Sequence, residues 1–180
     1  SRMSILHIHI LLNHVPTIGT VIGIGLFVLS LARRNTDLTR VSLITLVLIA
    51  LATIPVFLSG YAARQSIEEQ PGIPTDLLVA HADAALLAFV LMELTGLVAW
   101  FALWQYRRAA RLPGTALAIV LLLSAITLAV VAGAANIGGK IGHSEIRTDA
   151  SVTMPVIVTS MAVHDFMNGP WWVWASNETL

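Results

Sequence analysis

Four stretches of this chain, residues 5–32, 41–63, 77–103 and 116–141, are each apolar over the length needed to cross a bilayer core as a helix, about 20 residues. Nothing else in the sequence limits the fold as strongly, because a backbone in hydrocarbon must satisfy its own hydrogen bonds, and a helix does so. The separators ARRNTDLTR, RQSIEEQPGIPTD and QYRRAARLPG carry helix-ending signals. Short connections favour antiparallel neighbours. The expected fold is therefore an all-α membrane protein, an antiparallel four-helix transmembrane bundle over residues 1–147. Composition agrees: 57% of the 180 residues are hydrophobic and 11% charged, well outside the range of soluble domains.

Arg33, Arg34, Arg40, Arg107, Arg108 and Arg111 fall in the first and third connections, accompanied only by Asp37. Arg-rich loops stay on the cytoplasmic side, so these two are expected inside a bacterial inner (cytoplasmic) membrane. The second connection, with Glu68, Glu69 and Asp76 against Arg64, then lies outside, as do both chain ends. Met3 reads as the natural start and the first stretch as its own insertion signal, with no removable signal peptide. Residues 148–180 are expected to form an outer interfacial tail. In SVTMPVIVTSMAVHDFMNGPWWVW, Pro155, the His164–Asp165 pair and Gly169–Pro170 interrupt the apolar run, and Trp171, Trp172 and Trp174 suit headgroup level.

A net charge of zero and two small arginine clusters leave no broad basic face, which argues against nucleic acid. The absence of cysteine removes disulfides, thiolate metal sites, iron–sulfur clusters and covalently attached haem. No nucleophile and base are paired in the pattern of a hydrolase. What stands out is histidine. His7, His9 and His14 lie in the outer part of the first stretch, His81 about one turn inside the third, His143 at the close of the fourth and His164 in the tail. On the expected topology all six belong to one side.

At about 100° per residue, His7 and His14 share a helix face and His9 points nearly opposite, which makes His9 the least expected ligand of the three. His81 shares its face with Ala84, Ala85, Ala88, Met92 and Thr95, and His143 with Ala125, Ala129, Ala132, Asn136 and Gly139. Gly19, Gly23 and Gly25 add small residues to the first stretch. Such stripes are equally what membrane helices use to pack on one another without a cofactor. Ionisable groups inside lipid are costly, however, so His14 and His81 are expected to face the interior with a partner.

Small residues beneath inward-facing histidines suit a b-type haem held by one imidazole from each of two facing helices. The first and third helices of an up-and-down bundle are diagonal, making His14 and His81 the expected axial pair. His7, roughly 10 Å further out, could meet His143 or His164 at a second level, so one or two haems are open. Lys140 and Arg147 could contact haem propionates, with Glu145 solvated. The rival reading is a non-haem metal protein in which the HIH segment, His81 and His143 gather copper, zinc or iron. A purely structural anchor subunit is the third. Glu93, in LMELTG, is either a proton relay or quinone contact, or is hydrogen-bonded to Thr95, Ser59 or Thr53. Pro16 is expected to kink the first helix just below His14, and Pro55 to bend the second.

The segments LLNHVPTIGTVIG, HADAALLAF and GGKIGHSEIR resemble a family of small bacterial membrane proteins with four helices and histidines near one surface, over most of the first 147 residues. In architecture the chain also resembles the transmembrane cytochromes b, in which four helices sandwich haem between histidine pairs. That resemblance implies electron transfer with a quinone or quinol and an extracytoplasmic cytochrome or other redox subunit, the chain itself being a possible quinol-oxidoreductase subunit. It departs from cytochromes that carry electrons right across the bilayer, since no histidine lies in the inner half.

Overall fold

The structure, a computed structural model, describes residues 5–68, 73–108 and 112–142. They form α1 (Ile5–Leu12), α2 (His14–Arg33), α3 (Thr36–Ile67), α4 (Thr75–Tyr106) and α5 (Gly114–Gly142). Taken with α1 and α2 as one span, the four helices are long and apolar enough to cross a membrane, which is the multi-pass bundle expected. His143 and Arg147 of the expected bundle, and the whole expected tail with His164, lie outside the described residues.

α1 and α2 are one helix with a break at Asn13, which keeps helical dihedrals and still donates to the His9 carbonyl at 2.9 Å. Pro16 explains the break. Its ring has no N–H to offer the Leu12 carbonyl, so the ladder loses a rung at that turn. The break falls just above His14 rather than below it. At the other end of α2 the chain reverses in two residues: Arg34 adopts a left-handed conformation (φ 51°), and the Asn35 side chain caps α3 by accepting from the Leu38 N–H at 2.9 Å.

α3 packs on α2 and α4, α4 on α5, and α5 returns, less extensively, to α2. α2 and α4 are thus diagonal, and they meet on the bundle axis, where the Thr20 hydroxyl lies 3.9 Å from the Met92 sulfur. The start of α1, the end of α3, the start of α4 and the end of α5 share one end, the histidine end. Arg33, Arg34, Arg40, Arg107 and Arg108 mark the other, where the Arg40 guanidinium sits 5.2 Å from the centre of the Tyr106 ring and joins α3 to α4.

The core divides by side-chain size. At the arginine end it is bulky, with Phe27, Leu43, Leu46, Tyr106 and Val120. At the histidine end four alanines, Ala50, Ala84, Ala88 and Ala134, share it with Ile49, Met92, Val131 and Ile137. Outward positions are large and apolar, such as Leu58 (63% exposed) and Leu122 (65%); a surface made this way belongs in lipid. Buried hydroxyls are satisfied at home. Thr53, Ser59, Ser124 and Thr127 each donate to a carbonyl three or four residues back, and Thr95 and Thr127 also bond across α4 and α5 at 2.8 Å.

Since lipid supplies no hydrophobic drive between helices, close backbone approach must hold the bundle together. The tightest place is Gly96 of α4, where an added Cβ would lie 2.3 Å from the Ala50 Cβ of α3. Gly19 and Gly23 receive Ile49 and Leu46 of α3 in the same way, whereas Gly25, expected to share that role, is exposed with nothing near it. Gly96→Ala should therefore destabilise the detergent-solubilised protein by about 1–3 kcal/mol through overpacking, while Gly25→Ala should be neutral or stabilising by up to about 1 kcal/mol. Thermal melting followed by circular dichroism separates the two.

Candidate functional site

Each half of the bundle places one histidine in a notch made by a glycine. His9 of α1 turns onto α3, where its Nδ1 lies 3.2 Å from the Val56 carbonyl and 3.3 Å from the Ser59 hydroxyl. Its ring edge lies against Gly60, where a Cβ would come within 2.8 Å of Cε1. His81 of α4 turns onto α5, with Nδ1 3.1 Å from the Ala134 carbonyl and its edge against Gly138, where a Cβ would come within 2.9 Å of Cε1. Both contacts have one form: an imidazole Nδ1–H donating to a helix carbonyl, and a glycine one turn further on that gives the ring room. A carbonyl accepts only, so Nδ1 carries the hydrogen, and in the neutral ring Nε2 keeps its lone pair.

The likeness of the two notches extends through the bundle. The step in sequence that carries His9 to His81 also carries Pro16, Thr20, Gly23, Phe27 and Ser30, the buried residues of α2, onto Ala88, Met92, Thr95, Ala99 and Ala102, all buried in α4. The step from Gly60 to Gly138 likewise carries Ser42, Leu46, Ile49, Thr53, Val56 and Ser59 onto Val120, Ser124, Thr127, Val131, Ala134 and Ile137, the buried residues of α5. The hairpin of α1–α3 and the hairpin of α4–α5 therefore repeat one packing plan about the bundle axis. His9 and His81 occupy the same place in it.

The expected inward pairing of His14 with His81 is not made. His14 is exposed, its Nδ1 3.0 Å from the Ile10 carbonyl of its own helix, and His7 is exposed on the same side of α1. Only His81 of the expected axial pair turns inward. The physical reason is that the inward face of this span is set by Pro16, Thr20, Gly23 and Phe27, whose register reaches back to His9 and not to His7 or His14. The α5 stripe is corrected for a related reason. Ala125, Ala129, Ala132 and Asn136 are exposed, and the inward face is instead Val120, Ser124, Thr127, Val131, Ala134 and Ile137. Small residues mark neither face by themselves where both solvents are apolar. Lys140 is half-buried in the last turn of α5, and His143 and Arg147 lie outside the described residues.

Arg64, in sequence a charge of the second connection, belongs to α3 in the structure. It lies one turn beyond Gly60 on α3, with Nη2 3.4 Å from Glu68 and a buried Nε that has no hydrogen-bond partner. Among the described residues no group of three or more His, Asp or Glu side chains is placed to hold a metal ion. Comparison with known proteins finds no matching family model, no matching curated protein and no matching solved structure.

The notches make a local prediction. Gly60→Ala should displace the His9 ring from the Val56 carbonyl and leave His81 undisturbed; Gly138→Ala should do the reverse. Nitrogen-15 NMR of labelled histidine reads this directly, because a ring held through Nδ1–H is fixed in one tautomer and a released ring is not.

Proposed function

We propose that the chain is a membrane-embedded b-type haem protein, with His9 and His81 as the axial ligands, passing electrons between a quinone pool and an extracytoplasmic redox partner. The observation that carries this reading is the duplicated notch. Ligating histidines almost always donate their other ring N–H to a carbonyl or carboxylate, which fixes the tautomer and raises the basicity of the ligating nitrogen, and both rings have that second partner in the Val56 and Ala134 carbonyls. Gly60 and Gly138 set the ring planes. The alanine-rich half of the core keeps side-chain volume low beside them, and the unpartnered Arg64 Nε–H suits a propionate oxygen at the same end.

Bound haem would supply a one-electron couple whose potential follows from its ligands and its burial. The chain's own residues would hold the rings, through the Val56 and Ala134 carbonyls, at the histidine end. With the arginine-rich connections cytoplasmic, that end faces outward, away from the cytoplasm. Two inward imidazoles suit a porphyrin iron, which needs only axial ligands, better than a bare copper, zinc or iron ion, for which three or four protein ligands are usual. In the absence of any cofactor the same contacts would be interhelical hydrogen bonds that fasten α1 to α3 and α4 to α5.

An absorption spectrum of the purified protein tests the proposal: a Soret band, with sharp α and β bands on reduction, is the expected result. His9→Ala and His81→Ala should each abolish those bands or convert them to a one-ligand spectrum, while His14→Ala leaves them unchanged. Colourless protein, or a spectrum lost with His14 and kept without His9, would sink the assignment.

A further inference from the structure

Among the described residues Glu93 is the one carboxyl well inside a span, and none of the partners expected for it binds it. The Thr95 hydroxyl bonds Leu91 and Thr127, that of Thr53 bonds Ile49, and that of Ser59 bonds Val56. Glu93 Oε1 is buried with no hydrogen-bond partner. The residue is half-buried, and on α4 it falls within about 60° of Phe89 and of Gly96, both of which meet α3. One turn toward the histidine end, Phe89 stacks on Phe57 of α3, with ring centres 4.5 Å apart and planes 16° apart. One turn the other way, Gly96 and Ala50 close the seam. Glu93, half-buried, therefore stands between an aromatic pair and a helix crossing.

The internal repeat shows that the bundle has a second seam of the same kind, between α2 and α5, without these residues. The positions equivalent to Glu93, Phe89 and Phe57 in the other half are Val21, Thr17 and Ala135. An acid and two aromatics stand in one seam only, and their places in the less extensive α2–α5 seam hold none of that chemistry. A carboxyl at this depth is costly unless something satisfies it, and a flat ring that stacks while offering oxygen to a hydrogen bond does so from the lipid phase.

We propose that the α3–α4 seam at Glu93 binds the head of a lipid-dissolved quinone or quinol, the ring against Phe57 and Phe89 and one ring oxygen hydrogen-bonded to the Glu93 carboxyl. A neutral carboxyl donates to the quinone carbonyl; a carboxylate accepts from the quinol hydroxyl. The site lies roughly 18 Å along α4 from His81, on the same helix. The choice of a quinone rests on the redox reading above, whereas the unsatisfied carboxyl and its aromatic neighbours do not.

The test uses the full chain in detergent micelles, titrated with a benzoquinone carrying a decyl tail. Quenching of tryptophan fluorescence is the readout, since exposed Trp100 lies two turns from Glu93 on the same side of α4. Saturable quenching is expected, at least tenfold weaker in Glu93→Leu and in Phe89→Ala and within about threefold of wild type in Glu93→Gln. Glu93→Leu removes an unsatisfied buried oxygen, so its melting temperature should equal or exceed that of wild type; should it fail to fold, Phe89→Ala decides. Equal affinity in wild type and the folded variants, or quenching that never saturates, overturns the proposal. So does a loss of oligomeric state in Glu93→Leu without quinone binding, which would make the seam a helix-to-helix contact. The Soret band of the same samples keeps the two readings apart: quinone binding by haem-free protein sinks only the haem assignment, and haem without Glu93-dependent binding sinks only this one.

Discussion

Hydrocarbon on both sides of every interhelical surface is the constraint from which the rest of this bundle follows. Where water would drive large side chains together, lipid is indifferent to them, and contact must come from backbones that approach closely and from polar groups that find each other. The Gly96–Ala50 crossing, the seating of Leu46 and Ile49 against Gly23 and Gly19, and the Thr95–Thr127 hydrogen bond are three forms of that solution. The seam between α2 and α5 shows the converse. The places equivalent to Gly96 and Ala50 hold Ile24 and Leu128 there, and those two helices make the least extensive of the neighbouring contacts between spans.

Duplication of the packing plan gives the histidine notches a meaning that neither has alone. One histidine bonded to a neighbouring helix is an ordinary way of satisfying an imidazole in lipid. Two in equivalent places, on diagonal spans, each with Nδ1 committed to a carbonyl and a glycine beneath the ring, form a matched pair with two nitrogens left to offer. The pair is not a perfect copy. His9 has the Ser59 hydroxyl beside its carbonyl, and the equivalent place beside His81 is Ile137. Ser59 already donates to Val56 at 2.9 Å, so the Val56 carbonyl serves both the hydroxyl and the ring, and His9 lies in the more polar of the two notches.

The spans, their antiparallel order and the gathering of His9 and His81 at one end were legible in the sequence, because length and apolarity set the first two and the topology then sets the third. The inward face of α4 was legible too, since Ala84, Ala88, Met92 and Thr95 follow His81 in register and no break intervenes. The faces of the first span and of α5 were not. Counting from His7 and His14 chose the polar residues as the marker of the interior, and those two are exposed. The buried residues Pro16, Thr20, Gly23, Phe27 and Ser30 carry the true register, but in a chain this apolar no contrast between faces distinguishes them. The repeat supplies the missing contrast: two weakly patterned helices become readable once each is laid against its counterpart, and His9 then falls on His81.

The repeat also separates what holds the fold from what is added to it. Residues that keep their class between halves, such as the notch glycines and the carbonyls opposite the histidines, answer to packing and ring placement together, and their substitution must disturb both. Residues that appear in one half only, Glu93 with its Phe57–Phe89 pair and Arg64 beside the first notch, carry polar or aromatic chemistry at places where the other half manages with Val21, Ala135, Thr17 and, opposite Arg64, Gly142. A bundle fastened only by its own contacts would have no need of an acid and an arginine whose buried atoms are left unpaired, because each such atom costs about 1–3 kcal/mol or more when nothing answers it. Both atoms stand on or beside α3, Arg64 one turn beyond the Gly60 notch and Glu93 deeper along the bundle, one turn from the Phe57–Phe89 pair.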